Sequence, residues 1–390
     1  MALYPNNSDR PKRLLSIDGG GIRGIIAAKV LLRIEEILCN SPDTPWNCLG
    51  DYFDFIGGTS TGSIIAAGLA RGMKVSELLS LYLDRGREIF TKNWLLARLW
   101  AKYSAKPLER NLKDIFGTLP LGSDRLKSLL LVVAKNVTTS NNWFFVNSPD
   151  NKFYEVNQNI LLWHLIRAST AAPTFFSPHR FDIGEQDYEF VDGGVSMFNN
   201  PSFQLFLEAT KKEYGIGWET GKDNILLVSV GTGFRLGKIP VGKAKKYTAI
   251  DWAVYAVSTL MEDANAQQNF IMSLIAHTPP EKQAQIREEL QAISVPQFQD
   301  LQDLASDGIP EDINVGEVIS RLSNLLTYKR YTTEFTDKRF RELGLSHIDP
   351  DAVAPMDAVG EMPALLEIGA AIAREQVQPD DFSGFLHPDS

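Results

Sequence analysis

The pentapeptide Gly58-Thr-Ser-Thr-Gly62 is the clearest candidate for chemistry in the sequence. It fits the pattern G-x-S-x-G, in which a sharp turn between a strand and a helix presents a serine hydroxyl. Residues 52–56 are typical of a buried strand, 57–62 of the turn, and 63–71 of an apolar helix. Glycine fits on both sides of such a turn, and the helix N-terminus favours developing negative charge. We therefore predict Ser60 as a nucleophile, with a plain strand–helix turn as the alternative.

A second glycine-rich segment lies between a predicted strand at 13–17 and a predicted helix at 25–38. It offers three consecutive unsubstituted amides, those of Gly19, Gly20 and Gly21. Backbone amides before a helix bind anions, and acyl transfer requires N–H donors directed at the tetrahedral oxyanion. We therefore predict these amides as an oxyanion hole. Arg23 would add positive charge, either to stabilise the loop or to contact a substrate phosphate.

The same segment also fits the dinucleotide fingerprint G-x-G-x-x-G through Gly19, Gly21 and Gly24. That fingerprint requires an acidic residue about 20 residues further on, at the end of the next strand, to hold a ribose. Residues 38–47 are predicted as a loop, and their one acid, Asp43, lies beside a proline in a turn. A nucleotide site is therefore the weaker interpretation of the loop.

A serine nucleophile requires a proton acceptor, and no histidine lies at the end of a predicted strand. The five histidines are His164, His179, His277, His347 and His387. His164 lies on an apolar helix and is expected to be a core residue. Asp192 follows a predicted strand at 188–191 and precedes Gly193 and Gly194, at the sheet edge where catalytic groups gather. Partial burial would raise its pKa and make it a usable base; the alternative is a turn aspartate.

Strands and helices alternate along the first 235 residues. Further strands are predicted at 127–137, 143–146 and 225–230, and further helices at 75–90 and 160–169. This alternation is typical of an α/β fold with a mostly parallel central sheet and helices on both faces.

The remainder of the chain follows a different pattern. Helices are predicted there at 248–277, 336–343 and 363–374. A polar segment from Pro279 to Asn314 has no assigned role. We therefore predict a catalytic core over residues 13–235 and a helical extension over 236–390, packed on the same domain. A second domain beginning near residue 245 is the alternative.

Composition limits the partners. The net charge is −9, which disfavours a general nucleic-acid binder because phosphate contacts require a basic surface. Residues 1–130 hold 18 Lys and Arg against 13 Asp and Glu (+5), and the remainder holds 21 against 35 (−14). An anionic surface would therefore dock at the N-terminal third.

The sequence also bears on the compartment. It has neither a secretory signal core nor a run of about 18 apolar residues, so we expect a cytoplasmic protein. Cys39 and Cys48 are expected to be free thiols. No pattern indicates a metal or a cofactor.

Taken in order, the motifs resemble those of the patatin-like phospholipase family. That family carries a D-G-G-G-[IL]-[RK]-G loop, then G-x-S-x-G, then D-G-[GA]. The corresponding residues here are 18–24, 58–62 and 192–194, and similarity continues at 168–178, 200–201 and 229–233. The resemblance covers roughly residues 13–235.

The resemblance implies a three-layer fold and a Ser60–Asp192 dyad that works without histidine. It implies an oxyanion hole formed by the amides of Gly19 to Gly21. It also implies release of fatty acid from membrane phospholipid through an acyl-enzyme, with neither metal nor cofactor. Bacterial members include effectors that a ligand switches on, so the requirement for an activator stays an alternative.

A membrane contact is predicted at 92–106, where Trp94 and Trp100 are interleaved with lysine and arginine. A basic amphipathic stretch rich in aromatic residues can lie on an anionic bilayer. The alternative is a helix that faces the core and exposes its lysines. The sequence does not indicate an oligomeric state.

Overall fold

One sheet organises the computed structural model of the chain, which describes residues 10–40, 44–90, 101–237, 239–277 and 324–386. Its strands are β1 (Lys12–Ile17), β2 (Phe55–Thr59), β3 (Leu129–Asn136), β4 (Asn142–Val146), β5 (His179–Ile183), β6 (Gln186–Asp192), β7 (Ile225–Val230) and β8 (Thr327–Tyr331). Their order across the sheet is β5-β6-β3-β2-β1-β7-β8, with β4 also paired to β3. The strands from β3 to β8 in that order are parallel, whereas β4, β5 and β6 pair antiparallel.

Helices connect and cover these strands. Those of the described residues are α1 (Gly24–Cys39), α2 (Leu49–Tyr52), α3 (Thr61–Ala70), α4 (Val75–Ile89), α5 (Ala105–Phe116), α6 (Tyr154–Asn157), α7 (Leu162–Ser169), α8 (Ser202–Thr210), α9 (Ala249–Ile275), α10 (Asp337–Glu342), α11 (Pro350–Val353) and α12 (Met362–Gln376). Both cysteines, Cys39 on α1 and Cys48 before α2, are free, as predicted.

Both faces of the central strands are buried, because their side chains alternate between two apolar cores. In β1, Leu15 and Ile17 join a large core formed with α1, α3, α4, α7 and α12. Leu14, which precedes them, points to the other face and joins a smaller core with α8 and the end of α9. The protein is therefore a three-layer α/β fold, and the predicted fold class is confirmed.

The strands near the candidate site differ from the predicted ones in two respects. β2 continues through Gly57 and Gly58 to Thr59, so the chain turns at Ser60 itself rather than at residue 57. β5 is not among the predicted strands, although its residues alternate between buried and exposed, as in a half-buried strand at the edge of the sheet.

β8 corrects the prediction that residues 236–390 contribute helices alone. Its sequence is TYKRY, and a strand with two cations in five residues lacks the apolar pattern from which buried strands are predicted. It pairs in parallel with β7, with Leu226 opposite Thr327 and Val230 opposite Tyr331. The C-terminal segment therefore extends the central sheet beyond β7.

Candidate active site

The turn after β2 holds Ser60 in a strained backbone conformation. Its φ of 54° and ψ of −126° are unfavourable for a residue with a Cβ atom. A methyl group on Gly58 would lie 2.2 Å from the Gly62 carbonyl oxygen, and one on Gly62 would lie 2.2 Å from that of Ile17. Only glycine fits at both positions, and Ser60 caps the N-terminus of α3, as the motif predicts.

The block at 168–178 supplies a support for this turn. The Ser60 amide donates to Ser169 Oγ at 2.9 Å, and that hydroxyl donates to the Val133 carbonyl at 2.6 Å. Ser169 is fully buried at the end of α7. The serine of the A-S-x-A-x-P block therefore ties the nucleophile turn to β3.

Asp192 lies at the end of β6 and faces the turn. Ser60 Oγ donates a hydrogen bond to Asp192 Oδ2 at 2.6 Å, and the Gly194 amide donates to Oδ1 at 2.7 Å. Burial raises the pKa of Asp192 to about 7, although the hydrogen bonds from Ser60 and Gly194 and the charge of Arg167 oppose that rise. The carboxylate is thus one hydrogen bond from the serine and titrates near neutral pH.

The glycine loop passes beside the same serine. A methyl group on Gly19 would lie 3.1 Å from Ser60 Cβ. The Gly19 amide already donates to the Asn199 carbonyl at 3.1 Å. A methyl group on Gly20 would collide with the Thr232 side chain. Gly21 has a φ of 60°, and a methyl group on it would collide with the Met356 carbonyl oxygen. Gly24, Gly193 and Gly194 are also buried around the site.

Arg330 on β8 holds this loop, although it belongs to none of the sequence motifs. Its guanidinium forms a bidentate pair with Asp18, with one N–H···O distance of 2.8 Å, and also donates to Ser229 Oγ at 2.7 Å. Burial alone would lower the pKa of Arg330, but the charge and hydrogen bonds of Asp18 raise it. Asp18 and Arg330 lie 312 residues apart, so no local pattern links them.

Arg23 contacts the C-terminal segment. Its guanidinium donates to the Ala354 carbonyl at 3.1 Å and lies over the Phe335 ring at 5.9 Å. It is 6% exposed, and burial lowers its pKa, although Glu262 and Asp18 oppose that change. Of the two predicted roles, this arrangement favours stabilisation of the loop.

Helix α9 packs against the segment that contains Gly194 and Asn199. Asn199 Nδ2 donates to Asn265 Oδ1 at 3.2 Å, and Met261 Cε would lie 3.4 Å from a methyl group on Gly194. Burial raises the pKa of Glu262 to about 7, opposed mainly by the charge of Arg23. α9 therefore contacts both the Asp192 turn and the residue that binds the Gly19 amide.

The histidines have other partners. His164 Nδ1 lies 2.9 Å from His179 Nε2, and burial lowers their pKa values to about 4 and about 3. His347 pairs with Glu367 on the surface, and His277 contacts Asn324. Among the described residues, none of them hydrogen-bonds to Ser60 or Asp192.

Some predictions fall elsewhere. Trp94, Trp100, the polar segment 279–314 and His387 lie outside the described residues. Within the part of the chain that the structure describes, no group of three His, Cys, Asp or Glu residues could hold a metal ion. No described helix is long and apolar enough to cross a bilayer.

The fold and the site together define a three-layer α/β protein with a serine–carboxylate pair at a strand–helix turn. Residues 15–205 match the family model described as patatin-like phospholipase. The chain therefore contains a segment that is similar to patatin-like phospholipase domains and spans just under half of its length.

Three relatives illustrate the range of the family. The chain is 33% identical over 230 residues to a "cGAMP-activated phospholipase" of Escherichia coli (57% of this chain, 63% of the relative). It is 32% identical over 233 residues to a protein of the same name from Vibrio cholerae (56% and 64%). It is 30% identical over 243 residues to the "Probable inactive patatin-like protein 9" of Arabidopsis thaliana (58% and 62%).

The matched region spans less than two thirds of each of these relatives. The crystal structure of VipD from Legionella pneumophila superposes with a TM-score of 0.37 at 12% identity, covering 92% of this chain and 67% of that one.

Proposed function

We propose that the chain hydrolyses carboxylic esters of lipids, with phospholipid as the substrate class, through Ser60 and Asp192. The observation that carries this proposal is the 2.6 Å hydrogen bond from Ser60 Oγ to Asp192 on the nucleophile turn. Similarity to the family is not sufficient, because one relative is named as probably inactive. The hydrogen-bonded Ser60 and Asp192, with Ser60 on a strained turn, support activity in this chain.

In the first half-reaction, Asp192 accepts the Ser60 proton as Oγ attacks the ester carbonyl carbon. The carbonyl π electrons move onto oxygen and give a tetrahedral oxyanion. Collapse of this intermediate breaks the bond to the alcohol oxygen, which takes the proton from Asp192 and leaves as the alcohol or lysolipid. An acyl–Ser60 ester remains.

In the second half-reaction, water attacks the acyl–Ser60 carbonyl while Asp192 accepts a proton from the water. The new tetrahedral intermediate collapses, Ser60 Oγ takes the proton back, and fatty acid is released. A pKa near 7 suits this exchange, because the carboxyl group both accepts and returns a proton at neutral pH.

The oxyanion hole that we propose uses the amides of Gly20 and Gly21. The Gly19 amide is engaged by the Asn199 carbonyl, so Gly19 serves the close approach to Ser60 instead. Donors fixed in advance of the reaction stabilise the oxyanion without reorganisation, and the ion pair of Asp18 with Arg330 fixes this loop.

Fatty-acid release from mixed-lipid liposomes, followed by mass spectrometry of the products, tests the proposal. Ser60→Ala should lower release by about 10⁴-fold or more and abolish labelling by a fluorophosphonate. Asp192→Asn should lower release to a similar level. Ser80→Ala on α4 and Asp187→Asn on β6 are matched controls that should retain activity. Full activity of Ser60→Ala or Asp192→Asn would refute the dyad.

Dependence on an activator is the second candidate, because two relatives are named for activation by cGAMP. Under this proposal the purified protein is inert on liposomes until the effector is added, and cGAMP is the first effector to test. Fluorophosphonate labelling of Ser60 with and without cGAMP separates an absent nucleophile from one that awaits an effector.

The nucleotide-binding alternative for the glycine loop has less support. The Ile22 amide, where a pyrophosphate would approach the start of α1, donates to the Met356 carbonyl at 2.8 Å. A rise in melting temperature with NAD or ATP would revive this alternative.

A further inference from the structure

A basic segment lies between β7 and the start of α9, and the proposed chemistry does not use it. Residues 235–250 contain five Lys or Arg and no Asp or Glu, in a chain whose net charge is −9. Three of these cations, Lys243, Lys245 and Lys246, are exposed around a short 3₁₀ turn. The segment therefore carries a local positive charge on an acidic protein.

The same stretch exposes large apolar side chains. Leu236, Val241, Trp252 and Leu260 are 48%, 106%, 43% and 68% exposed. They are four of the ten most exposed large hydrophobic residues in the described part of the chain. Burial away from water would be favourable for each of these four side chains, so a partner that covers this stretch would gain buried apolar area.

Ring contacts join the two parts of this stretch. The Trp252 ring lies 5.3 Å from Tyr247 and 5.7 Å from Tyr255. A methyl group on Gly237 would lie 3.5 Å from the Tyr255 ring, so the segment before α9 folds back on its first turns. We call residues 236–260 the basic rim.

The basic rim leads directly to the candidate active site. Met261, one residue beyond its end, lies against Gly194, and Gly194 binds the Asp192 carboxylate. Trp252 and Met261 are nine residues apart on α9, or about 14 Å along the helix axis. A partner surface bound to the basic rim would therefore lie within about one lipid length of Ser60.

We propose that the basic rim docks the protein on an anionic phospholipid bilayer. The exposed lysines contact lipid phosphates, while Trp252, Leu260 and their neighbours enter the headgroup region. α9 lies on the surface rather than spanning it. This inference rests on the proposed function, since it explains how a lipid ester reaches Ser60.

Alternation of single apolar side chains with lysines favours a bilayer over a protein partner. A protein interface concentrates aromatic anchors in a packed centre that is depleted of lysine. Lysine at the interface with an aromatic belt is typical of peripheral membrane contacts.

Vesicle binding in a Ser60→Ala background tests the inference without consuming the lipid. Co-sedimentation with vesicles of phosphatidylcholine and phosphatidylglycerol (3:1) is compared with pure phosphatidylcholine. Replacement of Lys243, Lys245 and Lys246 by Gln should weaken binding to the anionic vesicles about fivefold for each lysine, or about 100-fold together. Trp252→Ala should weaken binding to both vesicle types.

The matched control replaces Lys211, Lys212 and Lys222 by Gln, three exposed lysines outside the basic rim. It changes the net charge equally and should leave vesicle binding within about twofold of the parent. Equal losses in the two triple variants, or no vesicle binding by the parent, would overturn the proposal. A change in molecular mass by light scattering with unchanged vesicle binding would instead identify the rim as a contact between copies of this chain, and would also overturn it.

Hydrolysis of a short soluble ester, measured with Ser60 intact, separates this inference from the proposed function. The rim variants should hydrolyse that ester at the parent rate. If the parent has no esterase activity with any ester, with or without cGAMP, the proposed chemistry fails, whereas the vesicle measurements still report on docking.

Discussion

Replacing Asp192 by Asn should stabilise the protein at neutral pH while removing its activity. Asn has almost the same shape, and its oxygen can still accept the Gly194 amide. Its NH₂ group can donate to Ser60 Oγ, which then acts as the acceptor. The substitution therefore removes a buried charge and leaves the surrounding hydrogen-bonding groups satisfied.

The size of the effect follows from the pKa of Asp192, which burial raises from 3.8 to about 7. Between pH 3.8 and about pH 7, Asp192 is therefore protonated in the native state but ionised in the unfolded state. The stability of the wild type therefore falls as the pH rises from about 4 to about 7. At about 1.4 kcal/mol per pH unit, the ionised carboxylate costs about 4 kcal/mol at pH 8 and about 1.5 kcal/mol at pH 5.

Urea unfolding at pH 5, 6, 7 and 8 measures this directly. The free energy of unfolding of Asp192→Asn, minus that of the wild type, should increase by about 2.5 kcal/mol from pH 5 to pH 8. This increase does not depend on any constant offset from altered hydrogen bonds. In parallel, kcat/KM of the wild type for a short soluble ester should rise about tenfold per pH unit below pH 7 and level off above it.

Asp187→Asn is the control, because Asp187 is an exposed residue of the same strand that pairs with Arg180. Arg180 lowers the pKa of Asp187, so this carboxylate stays ionised in the folded and unfolded states from pH 5 to pH 8. The free energy of unfolding of Asp187→Asn, minus that of the wild type, should therefore not change with pH. A pH-independent difference for Asp192→Asn would refute the assignment of a raised pKa to Asp192. A wild-type rate that does not fall below pH 7 would refute its role as the base.

Four further predictions concern the elements that hold the site. Arg330→Met leaves Asp18 buried without its partner and should cost about 3–5 kcal/mol in urea unfolding; a loss below 1 kcal/mol would mean that the pair does not matter. Ser60→Gly should abolish ester hydrolysis and raise stability by about 1 kcal/mol, since glycine tolerates the positive φ; a destabilised variant would argue against backbone strain. Gly62→Ala should cost about 2 kcal/mol or more, because its methyl group would collide with the Ile17 carbonyl 2.2 Å away, and a wild-type melting temperature would contradict that geometry. A chain ending at residue 235 should fail to give a cooperative unfolding transition, since it lacks β8 and Arg330; a folded, active fragment would show that the C-terminal segment is dispensable.

The parts of the site that the sequence predicts are those whose chemistry is local. Gly58 and Gly62 flank Ser60 because the turn between β2 and α3 allows no side chain there, and that constraint is written within five residues. Asp192 is also recognisable, because a carboxylate at the end of a strand and before two glycines is a local pattern. The hydrogen bond between Ser60 and Asp192, however, joins residues 132 positions apart and depends on how the fold brings them together.

The parts that the sequence does not predict depend on contacts between distant segments. β8 is disguised by Lys329 and Arg330, whose charges are compensated by Asp381 and Asp18 far away in the chain. A strand with such cations can be buried only when these partners are in place, and single-segment patterns do not contain that information. The edge strand β5 is a different case, because its alternating side chains are a local strand pattern but its run of five residues is short.

These distant contacts converge on one short loop. Asp18 is held by Arg330, Arg23 by the Ala354 carbonyl, and the Ile22 amide by the Met356 carbonyl. All three partners belong to the segment after residue 236, where the sequence predicts only a helical covering. The loop that we propose to bind the oxyanion therefore takes its shape from the C-terminal segment, while the nucleophile and base come from the N-terminal 200 residues. A change of conformation in the C-terminal segment would therefore shift the Gly20 and Gly21 amides relative to Ser60, and fluorophosphonate labelling, which also requires those amides, would report it.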